Sequence, residues 1–204
     1  MDTCKVYVID DAEEVRDAIT LLMESVGLEV ETFDSASNFL ENYSDDFEGC
    51  ILLDVRMPGM SGLELQEKLN DIKNAPPVII ITGHGDIPMA VKAVQAGAVN
   101  FVEKPFNEQE ILDSVHRAFK IDCLKRGKNM MIESINKKIN ALTAREKEVL
   151  YAITSGKRNK TIAADLNISL STVEAHRGNV MSKMEAKSLS ELMRMVIHIE
   201  NISD

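Results

Sequence analysis

The sequence predicts an α/β domain built on a parallel sheet, followed by a smaller all-α domain. Three observations carry that prediction. In the first half, short apolar runs alternate with stretches of helical periodicity, the pattern of repeated strand–helix units. Beyond residue 140 only helical patterns and helix-start signals occur. The charge divides in the same region: residues 1–123 hold 9 Lys and Arg against 24 Asp and Glu, and residues 124–204 hold 14 against 9. One half is acidic and the other mildly basic, which argues for two domains with different partners.

The elements follow in order. The run "KVYVID" (5–10) reads as a buried strand ending in Asp10 and Asp11. Val15, Ile19, Leu22, Met23 and Val26 fall at helical spacing over 12–26. "LEVETF" (28–33) alternates as a strand, and 35–43 makes a short helix. "CILLDV" (50–55) is a buried strand carrying Asp54 near its end. "SGLE" (61–64) has the form of a capping box and opens a helix to about Ile72. "PVIIIT" (77–82) is a strand, 86–96 a helix and "AVNFVEK" (98–104) a strand. "NEQE" (107–110) starts the fifth helix. Five strands, each followed by a helix, imply a parallel sheet covered on both faces.

Residues 121–140 are charged, contain Gly127 and show only an irregular apolar pattern; they read as a linker with room for some helix. "TARE" (143–146) is a second capping box, opening a helix to about Ser155. Helices over 159–167 and 169–184 follow, and "SLSE" (188–191) starts a fourth. The domains are therefore expected at 1–121 and 141–204, joined by 122–140.

Composition narrows the class. At 45% hydrophobic and 27% charged residues the chain has a soluble globular profile, and its apolar runs are too short for a membrane span. The start has no signal-peptide shape, so a cytoplasmic location is expected. Cys4, Cys50 and Cys123 are odd in number and widely spaced, which suits small core residues with reduced thiols.

The polar residues gather at strand ends: Asp10 and Asp11 after the first, Asp54 at the third, Thr82 at the fourth and Lys104 after the fifth. In open α/β sheets that rim is where ligands bind. Three carboxylates on one rim resist ionisation unless a cation lies among them. An oxygen-rich site of this kind suits Mg²⁺. A carboxylate can also act as a nucleophile and form an aspartyl phosphate. Lys104 is placed to neutralise a transferred phosphoryl group, and Thr82 to donate a hydrogen bond to it.

The stretches "VIDDAEEVR", "LLDVRMPGMSG", "ITGHGD" and "FVEKPF" resemble the receiver domain of two-component response regulators. The resemblance spans the first half. It implies a flavodoxin-like sheet of order 2-1-3-4-5. It also implies that Asp54 takes a phosphoryl group from a sensor histidine kinase. Asp10, Asp11, Asp54 and the backbone carbonyl of Arg56 are then the Mg²⁺ ligands. Thr82 and Phe101 form a switch pair, with a plain core role as the alternative for Phe101; Gly83 lets backbone approach the phosphoryl group, with a plain turn glycine as the alternative; and the Lys104–Pro105 peptide is cis. Phe101 lacks the hydroxyl of the Tyr found in some members, so no phenol hydrogen bond takes part. Arg56 and His84 lie near the site mouth and are candidates to tune phosphoryl lifetime, with a solvated loop role equally open for His84.

The second half resembles the four-helix LuxR-type helix-turn-helix domain of the NarL/FixJ group, on "LTAREKEVL", "NKTIAADLNIS", "STVEAHRGNVMSKM" and "AKSLSELMRMV". "RMPGMSG" and "TGHGD" lean toward the FixJ-like branch. In the third helix Val173, His176, Val180 and Met184 share the inner side, and His176 is expected to pack rather than bind metal. Ser171, Glu174, Ala175, Gly178 and Ser182 share the outer side. A stripe of small residues lets a helix enter the major groove closely. Ser169 and Thr172 join the candidate DNA contacts. Lys157, Arg158, Lys160, Arg177, Lys183 and Lys187 are candidates for phosphates, against the alternative of a solvated basic face. Glu174 has a competing role: with Ser171 as N-cap it completes a capping box.

The whole reading is a phosphorylation-dependent transcription regulator and not an enzyme. Its expected partners are the kinase, double-stranded promoter DNA and RNA polymerase. Phosphorylation is expected to drive homodimerisation through Val91 and Val94 in the first half, with Leu192 and Val196 of the fourth helix pairing DNA-bound copies. One alternative keeps DNA binding with a passive first domain. Another is a phosphatase with Asp54 as nucleophile, but such enzymes need an acid two residues on, where this chain has Arg56.

Overall fold

A computed structural model describes residues 4–83 and 87–200, without the side chains of 87 and 198–200. His84, placed by pattern at the site mouth, lies outside the described residues. The chain divides into two compact units, Met1–Arg126 and Gly127–Asp204.

The first unit runs β1 (Lys5–Ile9), α1 (Glu13–Ser25), β2 (Glu29–Phe33), α2 (Ala36–Asn42), β3 (Gly49–Asp54), α3 (Gly62–Asn70), β4 (Val78–Thr82), α4 (Ile87–Gln95), β5 (Asn100–Glu103) and the start of α5 (Glu108–Asn140), whose residues from Gly127 on belong to the second unit. The five strands are parallel in the order β2-β1-β3-β4-β5. Side chains alternate between the two faces, as the strand period requires. Tyr7, Ile9, Ile51, Leu53 and Ile80 join Phe39, Leu65, Leu69 and Ala93 in one core. Val6, Val8, Leu52, Ile79, Ile81 and Val102 join Ile19, Met23, Ile111 and Val115 in the other. The apolar strands are therefore buried on both sides. Strand order reverses between β1 and β3, so their carboxyl ends border the crevice where such sheets bind ligands.

The second unit holds α6 (Ala144–Thr154), α7 (Asn159–Leu166), α8 (Leu170–Lys183) and α9 (Leu189–Glu200). Both expected capping boxes form: Ser61 with Glu64, and Thr143 with Glu146. The turn between α7 and α8 passes through Asn167, whose left-handed φ of 52° ends α7. Ile135, Leu142, Val149, Leu150, Ile153, Ile162, Val173, Val180 and Met184 make the core of this unit.

Three expectations change. Residues 121–140 belong to one continuous helix, since α5 runs unbroken over 33 residues and carries Gly127 within it. Leu192 and Val196 were expected on a pairing face, yet they are 0% and 3% exposed in the helical core. Four short helices enclose too little apolar volume to spare them. Cys50 is buried as expected, but Cys123 is exposed on α5.

Candidate functional site

Asp10 and Asp54 are placed by neighbouring strands, and both are nearly enclosed, at 2% and 6% exposure. Lys104, just past β5, reaches between them. Its Nζ donates to Asp10 Oδ2 at 2.6 Å and to Asp54 Oδ1 at 2.8 Å. The second oxygen of each acid is also held. Asp10 Oδ1 accepts from the Ala12 N–H at 3.0 Å, and Asp54 Oδ2 from the Arg56 N–H at 2.6 Å. The loop after β3 permits this geometry through two glycines. Gly59 takes a φ of +81°, and a Cβ on Gly62 would sit 2.1 Å from the Asp54 carbonyl oxygen. The Gly62 N–H donates to the Val55 carbonyl at 3.0 Å, seating the start of α3 against the site.

Thr82 is buried at the end of β4, and its carbonyl accepts from the Lys104 N–H at 2.8 Å. The Lys104–Pro105 peptide is cis. Gly83 is exposed at the rim. Phe101 is half-buried against the core on the α3–α4 face. Asp11 is exposed, as is the Arg56 side chain.

Two carboxylates share one ammonium, so the cluster keeps a net negative charge. Burial pushes the Asp54 carboxyl up from its usual range; Lys104 opposes the shift and Asp10 adds to it. Burial alone lowers Lys104, but its hydrogen bonds to Asp10 and Asp54 outweigh that and raise it. An acid raised on folding holds more protons folded than unfolded, so its contribution to stability falls as pH rises through that window. In chelator, Asp54→Asn is therefore expected to gain more melting temperature over the parent at pH 7 than below about pH 4. Calorimetry at both pH values checks this, and an equal gap contradicts it.

The donor set fits a hard divalent cation. Asp10 and Asp54 each bring a carboxylate to the same sheet rim, and Mg²⁺ takes one or two carboxylates with several waters. Among the described residues no three His, Cys, Asp or Glu side chains gather closely enough to hold a metal by themselves. Asp11 and a backbone carbonyl would have to complete the set.

In the helical unit Ser169 is the N-cap of α8 and accepts from the Thr172 N–H at 3.1 Å. Ser171 is not the cap, so Glu174 completes no capping box. Ser171, Glu174, Ala175, Gly178 and Ser182 are all exposed, forming the outer stripe the spacing predicts. His176 is half-buried, with its Nδ1 enclosed and unpartnered among the described residues.

The basic candidates divide. Lys183 donates to the buried Glu146 at 2.7 Å and helps hold that carboxyl down at about 2. Arg177 donates to Asn159 Oδ1 at 2.9 Å, and Lys157 pairs with Asp165 at 2.6 Å. These three have partners within the unit. Arg158 and Lys160 are exposed at the start of α7.

Sequence reasoning gave no role to Arg16, Asp122 or Arg126. Asp122 is buried and accepts from the Gly49 N–H at 2.9 Å and Arg126 Nε at 2.8 Å. Arg126 also donates to the carbonyls of Phe47 and Asn74. The i,i+4 spacing of opposite charges was the available signal.

A carboxylate–ammonium cluster at the switch point of a parallel sheet, in one chain with a helix-turn-helix unit, defines a signalling regulator that reads DNA. Comparisons agree. The response regulator receiver domain family matches residues 6–116, and the family of bacterial regulatory proteins named for luxR matches residues 140–196. The response regulator protein TodT of Pseudomonas putida F1 is 42% identical over 96% of this chain and 86% of its own length. The transcriptional regulatory protein FixJ of Rhizobium meliloti is 44% identical over 94% of each chain. The solved structure of the response regulator StyR matches with a TM-score of 0.84 and 44% identity, covering 94% of this chain and 97% of that one.

This chain belongs to the NarL/FixJ family of response regulators, with a receiver domain and a LuxR-type DNA-binding domain. It is a transcriptional regulator of a two-component system. No described helix is long and apolar enough to cross a membrane.

Proposed function

We propose that Asp54 is the phosphoacceptor and that its phosphorylation by a sensor histidine kinase gates DNA binding. The observation that carries this is the nearly enclosed Asp54 carboxylate, at the carboxyl end of β3 and tied to Lys104. In the transfer, an Asp54 oxygen attacks phosphorus, and the phosphorus–nitrogen bond of a phosphohistidine breaks. Mg²⁺, when bound, supplies charge neutralisation, with Asp10, Asp11, Asp54 and the Arg56 carbonyl as its ligands. Lys104 then exchanges Asp54 for a phosphoryl oxygen. Thr82 and Gly83 hold the other oxygens, and the move of Thr82 draws Phe101 inward.

The response reaches the face of α4 and β5, where Val91 and Val94 are exposed. Two apolar side chains there support a homodimer that forms on phosphorylation and frees residues 141–204. The regulator works in the cytoplasm, with receiver 1–121 and segment 122–140 joining it to the DNA-binding domain. Its DNA partner is a promoter site with two half-sites, where it contacts RNA polymerase. DNA contacts come from Ser169, Ser171, Thr172, Glu174, Ala175 and Gly178 at the groove, and from Lys157, Lys160, Arg177 and Lys183 at phosphates. The ion pairs of Lys183 with Glu146 and of Lys157 with Asp165, and the hydrogen bond of Arg177 to Asn159, favour Lys160 as the stronger phosphate contact.

Selection from a random DNA pool tests the groove assignment. With its capping role removed, Glu174 is free to accept from a base edge, a contact worth about 1–3 kcal/mol of discrimination. Glu174→Ala is expected to change the selected consensus at one position per half-site. An unchanged consensus removes Glu174 as a reader.

A further inference from the structure

We infer that Arg16 is a positioning residue for the divalent-cation site at Asp10 and Asp11, an inference that rests on the phosphoacceptor reading above. Arg16 lies in the first turn of α1. Its Nη1 donates to the carbonyl oxygens of both Asp10, at 2.7 Å, and Asp11, at 3.1 Å. The peptide joining Asp11 to Ala12 is thereby held at both ends. Arg16 takes its carbonyl oxygen, and Asp10 Oδ1 takes its N–H at 3.0 Å.

A second feature shows why the junction needs this clamp. The N-cap of α1 is Ala12, which has no side-chain cap hydrogen bond. Alanine is a poor N-cap, so beyond the Asp10 Oδ1 bond to the Ala12 N–H the turn from β1 into α1 lacks a side-chain clamp of its own. Arg16 supplies one from within the helix. Asp10 is buried and also held by Lys104, but Asp11 is exposed, and the direction of its side chain depends on its backbone. Groups that orient ligands without touching the metal commonly account for 10–100-fold in affinity.

Charge and geometry make opposite forecasts here. A guanidinium beside the site repels an incoming cation, so by charge alone removing it tightens Mg²⁺ binding. If positioning dominates, removing it weakens binding. Arg16→Lys keeps the charge and loses the planar fork, whereas Arg16→Gln loses the charge.

The test is calorimetric titration of the full chain with Mg²⁺, for the parent and both variants. Melting temperatures in chelator and labelling rates from acetyl phosphate at saturating Mg²⁺ accompany it. Both variants are expected to bind Mg²⁺ on the order of tenfold more weakly. Their labelling rates at saturation should return to within about twofold of the parent, the split expected for a group that acts on binding alone. A lower melting temperature with unchanged Mg²⁺ affinity means a merely structural role and overturns the inference. So does tighter binding by Arg16→Gln, or a labelling rate that saturating Mg²⁺ does not restore. A parent chain that binds no Mg²⁺ overturns the phosphoacceptor reading itself, and is told apart because the defect precedes any substitution.

Discussion

Asp54→Asn is expected to take up no phosphoryl group from acetyl phosphate in Mg²⁺, while the parent chain takes up one. The substitution keeps the shape of the side chain and its capacity to accept from the Arg56 N–H, but removes the nucleophilic carboxylate. Intact-mass measurement reads the uptake directly, and chelating the metal should abolish it in the parent. One phosphoryl group on Asp54→Asn would move the acceptor elsewhere.

The second large effect is on stability. Arg126→Met is expected to destabilise the first unit by about 3–5 kcal/mol, because it strands the buried Asp122 carboxylate without its partner. The carbonyls of Phe47 and Asn74 lose a donor at the same time. Adding Asp122→Asn removes the stranded charge, so the double variant should recover part of the loss. Urea unfolding of the single and double variants checks both statements. A single variant as stable as the parent would show that the charge finds water instead.

The same pair shows where sequence reading stops. Strands β1, β3 and β4 were legible because they are buried on both faces and read as unbroken apolar runs. The strand-end positions of Asp10, Asp54, Thr82 and Lys104 followed directly. Capping boxes at Ser61 and Thr143 were legible because their chemistry is local. α5 was not, beyond residue 121. A helix presents one apolar stripe only while its surroundings stay constant, and those of α5 change from Val115 in a sheet core, to exposed Leu124, to Ile135 in a helical core.

Helical spacing correctly gave the inner and outer sides of α8, but it could not say how much of α9 the small core consumes. Leu192 and Val196 were lost from the pairing face for that reason, while Leu189 remains exposed. Residue type likewise does not distinguish a cation that meets phosphate from one that meets a neighbouring carboxylate. Lys183 required the position of Glu146, 37 residues away in sequence. Arg16 was hidden differently: its partners are backbone carbonyls, which leave no mark in side-chain identity.

The central claim is that phosphorylation at Asp54 gates DNA binding. Its most direct test is the affinity of the full chain for a selected duplex carrying two half-sites, measured at fixed salt by fluorescence anisotropy, before and after phosphorylation with acetyl phosphate. The account predicts about 5–150-fold tighter binding after phosphorylation, the usual range for coupled sites. It also predicts that Asp54→Asn never gains this affinity, and that Val91→Asp gains less of it while still taking the label. Equal affinity with and without phosphate, in a chain shown to be labelled, would contradict it and leave the receiver a passive partner of its DNA-binding domain.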